Sequence, residues 1–498
     1  MELMDWTVVA PEIWLLALIC TVAMADLWVS DPQRRPTFWL TQVGLLVFTL
    51  MQLHSVERGI AQYGLGGMVV ADPMGHLLAC FAGVATMVTL AYARPTLAAR
   101  DMQRGEFYTL ALLSLLGISI MTSANHFLVV YLGLEVMSLS LYALVALRRD
   151  HRVATEAAMK YFVLGALASG FLLYGLSMMY GATGSLEIPV VFDRIATGSI
   201  NPDVLVFGVV FVVAGLAFKL GAVPFHMWVP DVYQGAPTAV TLLIGGAPKL
   251  AAFAITIRLL VEGMLGLAFD WQQMFIVLAV ASLVVGNVAA IAQSNLKRML
   301  AYSTIAQIGF VLLGLSAGVV SGNTLSAGNA YSSAMFYVIT YVLTTLGTFG
   351  LIMYLSDTGF ESERIDDLAG LAQRAPWLAG VMAVFMFSLA GIPPMVGFFA
   401  KLAVLQALVA TNVAAYIVLA VLAVLLSLVG AYYYLRVVKV MYFDPPAGAP
   451  AARPALPARS AGVTALLAVN GAAVLLLGPL SGGLLALCRD AIVKTLAG

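Results

Sequence analysis

Phe218-Lys219-Leu220-Gly221-Ala222-Val223-Pro224-Phe225-His226 lies in an apolar run, 204–229, that is long enough to cross a lipid bilayer. Leu389-Ala390-Gly391-Ile392-Pro393-Pro394 lies in another, 377–410. Each stretch holds a Gly-x-x-Pro element where an unbroken helix would otherwise run. Proline removes a backbone donor and clashes with the preceding turn, while glycine lets the chain leave helical geometry. Both spans are therefore predicted to be interrupted near mid-membrane, which is tolerated only where the freed backbone is buried in protein or lines a cavity.

The rest of the chain agrees with a membrane setting. Of 498 residues, 62% are hydrophobic and only 25 Lys+Arg and 25 Asp+Glu are available to solvate a surface. A charged fraction of 10% with a mean hydropathy of +0.97 places the chain among all-α polytopic membrane proteins. Zero net charge leaves no basic surface for a nucleic acid. Cys20, Cys80 and Cys488 stand singly, without a CxxC or a nearby His, which argues against an iron–sulfur or structural zinc site. The start, Met1-Glu2-Leu3-Met4-Asp5-Trp6, lacks the basic region of a cleaved signal, so the first apolar run is read as a retained span.

Fourteen apolar runs are expected to cross: 11–29, 38–54, 71–93, 107–123, 125–147, 156–181, 204–229, 237–262, 273–293, 297–318, 329–355, 377–410, 413–443 and 461–487. The second is short and ends at a polar cluster of Gln52, His54 and Glu57. With the amino terminus outside, sixteen bases fall in inner segments, including Arg34, Arg35, Arg94, Lys297 and Arg298. Only Arg58, Arg194, Arg489 and Lys494 fall outside, so both termini are expected on the outer side. Residues 357–375 read as a short amphipathic helix on the inner surface, and 444–459, rich in proline, as a flexible loop.

Five bases remain within or near the ends of spans: Lys160, Lys219, Lys249, Arg258 and Lys401, with Glu135 as the one deep acid. A charge at the helix centre costs roughly 2.5–3.5 kcal/mol on insertion scales, so several in one chain call for a functional explanation, usually an ion or proton path. Lys160 is close enough to its span end to snorkel, and Arg258, near Glu262, reads as an anchor. His54 and His76 read as packing or helix-end residues. His226 follows Lys219 by seven residues, on the same face if the helix were continuous, and its ordinary pKa near 6.5 suits proton transfer.

The two breaks lie five spans apart, which suggests two inverted five-helix repeats, spans four to eight and nine to thirteen, with broken helices in spans 7 and 12. The expected regions are then 1–106, a three-span amino-terminal part; 107–262 and 263–443, the repeats; and 444–498, a loop and final span. The repeat is imperfect, since Lys219 precedes its break and Lys401 follows the other.

The stretches Ala217 to Pro237, with Pro230-Asp231-Val232-Tyr233-Gln234-Gly235-Ala236-Pro237, then Ala247-Pro248-Lys249, Asn295 to Gly309, and Leu389 to Lys401 resemble the antiporter-like membrane subunits of respiratory complex I. The resemblance covers nearly the whole chain. It implies a proton-translocating membrane subunit of bacterial NADH:quinone oxidoreductase in the inner membrane, surrounded by other membrane-arm subunits and lipid. It also implies that Glu135, Lys219, Lys249 and Lys401 carry the protons, with Lys160 and His226 at further positions the family uses. Gly221, Pro224, Gly391, Pro393 and Pro394 mark the helix breaks. Gln234 stands where the family often has an acid, which leaves a charge role at that loop in doubt. No cofactor is implied in this chain; NADH, FMN, iron–sulfur clusters and quinone belong to partner subunits. On this reading ionised Glu135 holds Lys219 protonated, and separating the pair sends the proton toward Lys249, with Lys401 as the exit. A large subunit of a multi-subunit cation/proton antiporter is the alternative. A self-contained solute transporter is a more distant one, because the two breaks offer only backbone to a solute.

Overall fold

The computed structural model describes residues 6–100, 102–198, 200–356, 361–445 and 461–497. Among these residues twenty α-helices follow one another. The first ten are α1 (Ala10–Asp26), α2 (Arg35–Arg58), α3 (Pro73–Ala99), α4 (Gly105–Thr122), α5 (Phe127–Val145), α6 (Arg152–Thr183), α7 (Ile188–Ala196), α8 (Pro202–Leu220), α9 (Trp228–Gly235) and α10 (Thr238–Gly245). The second ten are α11 (Ala247–Thr256), α12 (Ala268–Ile291), α13 (Leu296–Ser316), α14 (Ala327–Leu355), α15 (Leu371–Arg374), α16 (Pro376–Ala390), α17 (Val396–Val409), α18 (Ala414–Tyr442), α19 (Ala461–Leu476) and α20 (Ser481–Ala497). A small antiparallel hairpin, Gln62–Gly64 with Val69–Ala71, joins α2 to α3.

Among the described residues eleven helical segments are long and apolar enough to cross a membrane, or twelve if α19 and α20 form one span. The expected fourteen is therefore not reached by single long helices. The shortfall falls at three of the runs: α1 has 17 residues, α16 and α17 are the two pieces of a broken helix, and α19 and α20 meet at 84°. The expected last span, 461–487, thus bends near Gly478, where a carbonyl of Pro394 lies close against the chain. The run 38–54, which looked short, is part of the 24-residue α2.

Polar residues at the helix starts serve as caps: Asp72 accepts from the Gly75 N–H at 2.8 Å and Asn295 from the Arg298 N–H at 3.0 Å. The span Thr238–Glu262, built of α10, α11 and a π-helical turn Ile257–Glu262, is buried along its length, and α13 and α14 nearly so. By contrast α6 and α18 are mostly exposed, as lipid-facing helices should be. Helix α14 packs against α3, α10, α11, α13, α16 and α17, which puts it between the two halves of the chain.

Three expectations about charged segments are corrected. Of 357–375, residues 357–360 lie outside the described residues, and 361–375 forms a 3-10 turn (Ile365–Leu368) and the four-residue α15, separated by Gly370 at φ +65°. Its apolar Ile365, Leu368 and Leu371 are buried, but there is no continuous amphipathic helix. Lys297, expected in an inner loop, is only 1% exposed. Arg258 does pair with Glu262, as the anchor reading expects, but it is not at an accessible helix end. It is fully buried, paired with Asp72 at 2.6 Å and Glu262 at 2.8 Å, and donates to the Thr122 carbonyl, because the loop before α3 carries an acid to it. The loop expected over 444–459 falls almost entirely outside the described residues.

Candidate functional site

The two interrupted helices are alike in detail. Helix α8 ends at Gly221, φ +85°, whose N–H donates to the carbonyls of Ala217 and Phe218, while the Ala222 N–H donates to Ala217. Helix α16 ends at Gly391, φ +86°, whose N–H donates to Phe387 and Ser388, while Ile392 donates to Phe387. This left-handed ending satisfies the early carbonyls of the last turn and leaves the last two without a helical partner.

A buried lysine takes up those two carbonyls at each break. Lys249 Nζ, on α11, donates to the carbonyls of Lys219 at 3.2 Å and Leu220 at 2.8 Å. Lys401 Nζ, on α17, donates to Leu389 at 3.0 Å and Ala390 at 2.9 Å, and to Ser427 Oγ at 2.8 Å. A helix carboxyl end carries partial negative charge, so an ammonium is held there without a counter-carboxylate. Each Nζ also sits over an aromatic ring, Trp228 for Lys249 at 5.4 Å and Phe310 for Lys401 at 5.3 Å. In its contacts the counterpart of Lys401 is thus Lys249, not Lys219, although Lys249 lies on the span after its break and Lys401 on the second piece of its own broken helix.

Lys219 turns the other way. Its Nζ donates to Ser138 Oγ at 2.9 Å and more weakly to Ser169 Oγ at 3.5 Å. The expected Glu135–Lys219 ion pair is not formed: Glu135 joins none of the ion pairs among the described residues, and its Oε1 is buried without a hydrogen-bond partner. Ser138, three residues on and on the same face of α5, stands where the carboxylate was expected.

His226 is not aligned with Lys219, because the helix is not continuous: it sits in the broken segment 221–227, its Nδ1 buried without a partner. That segment is held by the Val223 N–H donating to Ser282 Oγ at 2.9 Å and Trp228 Nε1 donating to the Phe218 carbonyl at 3.0 Å. Pro224 lies in the same segment, and Pro393 and Pro394 in the second break. Lys160 is exposed and apart from this site, paired with Asp231 at 2.7 Å and Glu156 at 2.9 Å; Asp231 also accepts from Arg298 at 2.7 Å.

Two features escaped the sequence reading. Lys297 Nζ donates to the Ala236 carbonyl at the end of α9 at 3.0 Å and pairs with Glu363 at 2.6 Å, a third lysine on a helix end. Burial pushes the Glu363 carboxyl up. In the neighbouring Glu361, burial is outweighed by the hydrogen bond with Glu363 and by the charges of Arg100, Lys297 and Arg148, which hold that carboxyl below its ordinary value. The other feature is a stripe of hydroxyls along α14: Tyr337, Thr340, Tyr341, Thr344, Thr345 and Thr348. Their spacing of three and four residues was legible as one helix face. Tyr337 donates to Gln307, whose Nε2 donates to the Leu389 carbonyl at 3.0 Å, one of the two held by Lys401. Gln307, Tyr337, Thr344 and Ser388 line a cavity of about 10 Å³, room for a single water.

Discontinuous membrane helices whose ends are held by buried lysines, joined by a hydroxyl-lined helix between two halves, define an antiporter-like ion-translocating membrane subunit. The comparisons with known proteins narrow the class. Residues 124–427 match the family described as "NADH:quinone oxidoreductase/Mrp antiporter, TM". NADH-quinone oxidoreductase subunit N of Polaromonas naphthalenivorans is 60% identical over 98% of this chain and 97% of its own, and that of Nitrosomonas europaea 52% identical over 98% of each. A chain of respiratory complex I from Thermus thermophilus is 31% identical with a TM-score of 0.79, covering 96% of this chain and 98% of that one. A chain of the Mrp complex from Dietzia sp. DQ12-45-1b shares the fold, with a TM-score of 0.83 at 21% identity, covering 99% and 98%. The chain belongs to this family of NADH:quinone oxidoreductase and Mrp antiporter membrane subunits.

Proposed function

We propose that the chain works as the subunit N of a bacterial NADH:quinone oxidoreductase, a membrane-arm subunit that translocates protons while NADH, FMN, iron–sulfur clusters and quinone are held by its partners. On this reading it lies in the inner membrane with both termini periplasmic. The observation that carries the proposal is the pair of buried ammonium groups, Lys249 and Lys401, each bonded to the two free carbonyls of a broken helix.

A charge-assisted hydrogen bond is roughly twice as strong as a neutral one, so the hold of each lysine on its helix end depends on whether it carries its proton. Proton occupancy and the geometry of the break are then linked: a lysine that gives up its proton is released from the carbonyls, and one that gains a proton is drawn back. Lys219 receives a proton near Glu135 and Ser138 and hands it to Lys249, which lies on Lys219's own carbonyl. The α14 hydroxyls and the Gln307 cavity carry it on to Lys401. The full-length identity with subunit N relatives favours this assembly over the cation/proton antiporter.

Purification of the intact assembly tests the reading. The chain is expected to co-purify with a peripheral arm carrying flavin and iron–sulfur clusters, and NADH oxidation by that assembly is expected to drive proton uptake into inverted vesicles. Recovery with small antiporter subunits, and cation/proton exchange without NADH, would overturn it.

A further inference from the structure

We propose that the groove between α2, α3 and the start of α19 is a binding site for an anionic phospholipid, its phosphate on Arg35 and Arg94 and an acyl chain along α2. The groove has a volume of about 800 Å³. Its polar end is lined by Gln33, Arg35, Arg94 and Gln103, and no Asp or Glu lines any part of it. The other end is lined by Val43, Leu46, Met87 and Leu466. From Arg35 to Leu46 is eleven residues of helix, about 16 Å, and α3 runs from Arg94 to Met87 in the same sense of depth. A charged head and a long apolar tail fit that gradient; a free anion or a wholly apolar ligand fits only one end.

The groove opens to the lipid side, since Trp39, Val43 and Leu46 are 61%, 57% and 46% exposed. Trp39 sits one turn below Arg35, at the depth where an indole prefers the membrane interface. Asp31 interacts electrostatically with both arginines, but neither makes a close ion pair among the described residues. Arg94 lies over the Phe38 ring at 4.7 Å and joins no ion pair among the described residues, and Arg35 reaches Asp31 only at 4.0 Å while donating to the neutral Gln33. Both arginines lie on the face where the base count puts the inner leaflet, so the positive end would meet anionic headgroups. The site is independent of the proton path and does not rest on it.

The test uses the assembled complex in vesicles with brominated phosphatidylglycerol or brominated phosphatidylcholine as a quencher of Trp39. Trp39 is one of seven tryptophans, so its signal is the difference between wild type and Trp39→Phe. Half-quenching of that component is expected at a mole fraction of phosphatidylglycerol about fivefold to twenty-five-fold below that of phosphatidylcholine, the range for one or two bases near an anionic surface. Arg35→Gln with Arg94→Gln is expected to abolish the difference. If the double variant does not assemble, each single variant is expected to lose about fivefold of it. Equal quenching by the two lipids, or a preference that survives the glutamines, would overturn the site. So would relief of the quenching by glycerol 3-phosphate, which would assign it to a free anion, or protection of Trp39 from both lipids, which would assign it to a partner subunit.

Discussion

Gly221 and Gly391 allow a controlled comparison, because an added methyl meets different neighbours at the two breaks. Both residues have φ near +85°, so Gly→Ala at either position carries the same left-handed penalty of roughly 1–2 kcal/mol. At Gly221 the new Cβ lies 3.0 Å from Val229 Cγ2 and 3.5 Å from Lys249 Nζ, an ordinary contact with the lysine. At Gly391 it lies 2.8 Å from Lys401 Cδ and 3.2 Å from its Nζ, so that the lysine has to move. Losing one charge-assisted hydrogen bond costs roughly 1.5–3 kcal/mol, on the order of tenfold to a hundredfold in the docked population. Gly391→Ala is therefore expected to lower proton translocation per NADH oxidised at least tenfold more than Gly221→Ala. The assay is the initial rate of acidification of inverted vesicles, normalised to NADH oxidation and to assembled complex. Equal losses in the two variants would refute the idea that the Lys401 contacts, and not the break alone, matter.

Other outcomes follow from the same geometry. Lys297→Met takes the ion-pair partner from the half-buried Glu363 and is expected to destabilise the assembly by about 1–3 kcal/mol, read as a lower unfolding temperature, whereas adding Glu363→Gln should recover most of the loss. Glu361 is held below its ordinary value, so its contribution to stability is present above the unfolded carboxylate range near 4.3 and is lost as pH falls through its native titration. Glu361→Gln should lose less stability between pH 5 and pH 3 than the wild type, measured by thermal unfolding at each pH. A reporter fused after Gly498 is expected to behave as periplasmic, and cytoplasmic behaviour would mean that the bent α19–α20 pair does not cross once.

Much of this was legible in the sequence. The apolar runs located the helices, and Gly221 and Gly391 marked both breaks because glycine adopts positive φ at the least cost. The charges that had to be explained, Lys219, Lys249 and Lys401, were visible through their cost in a membrane. What the sequence could not supply was direction. Lys249 reaches carbonyls 29 and 30 residues earlier in the chain, a contact made by packing of α11 on α8 and invisible to spacing. The resemblance sets Glu135 against Lys219, but a serine on the same face holds the ammonium instead. Lys297 looked like a loop base because it follows polar residues, yet Asn295 caps α13 just before it and folds it inward. The α14 hydroxyls stand at helical spacing, but the run that holds them is apolar as a whole and reads as a plain span.

The most direct test of the central claim is proton translocation by Lys249→Arg and Lys401→Arg in fully assembled complex. Arginine keeps the charge and can reach a helix end, but it holds its proton at every relevant pH. If the lysines carry protons, both variants assemble to normal levels and lose translocation about as severely as the alanine variants. Near wild-type proton uptake in both would contradict the account, leaving Lys249 and Lys401 as fixed charges that only hold the broken helices closed.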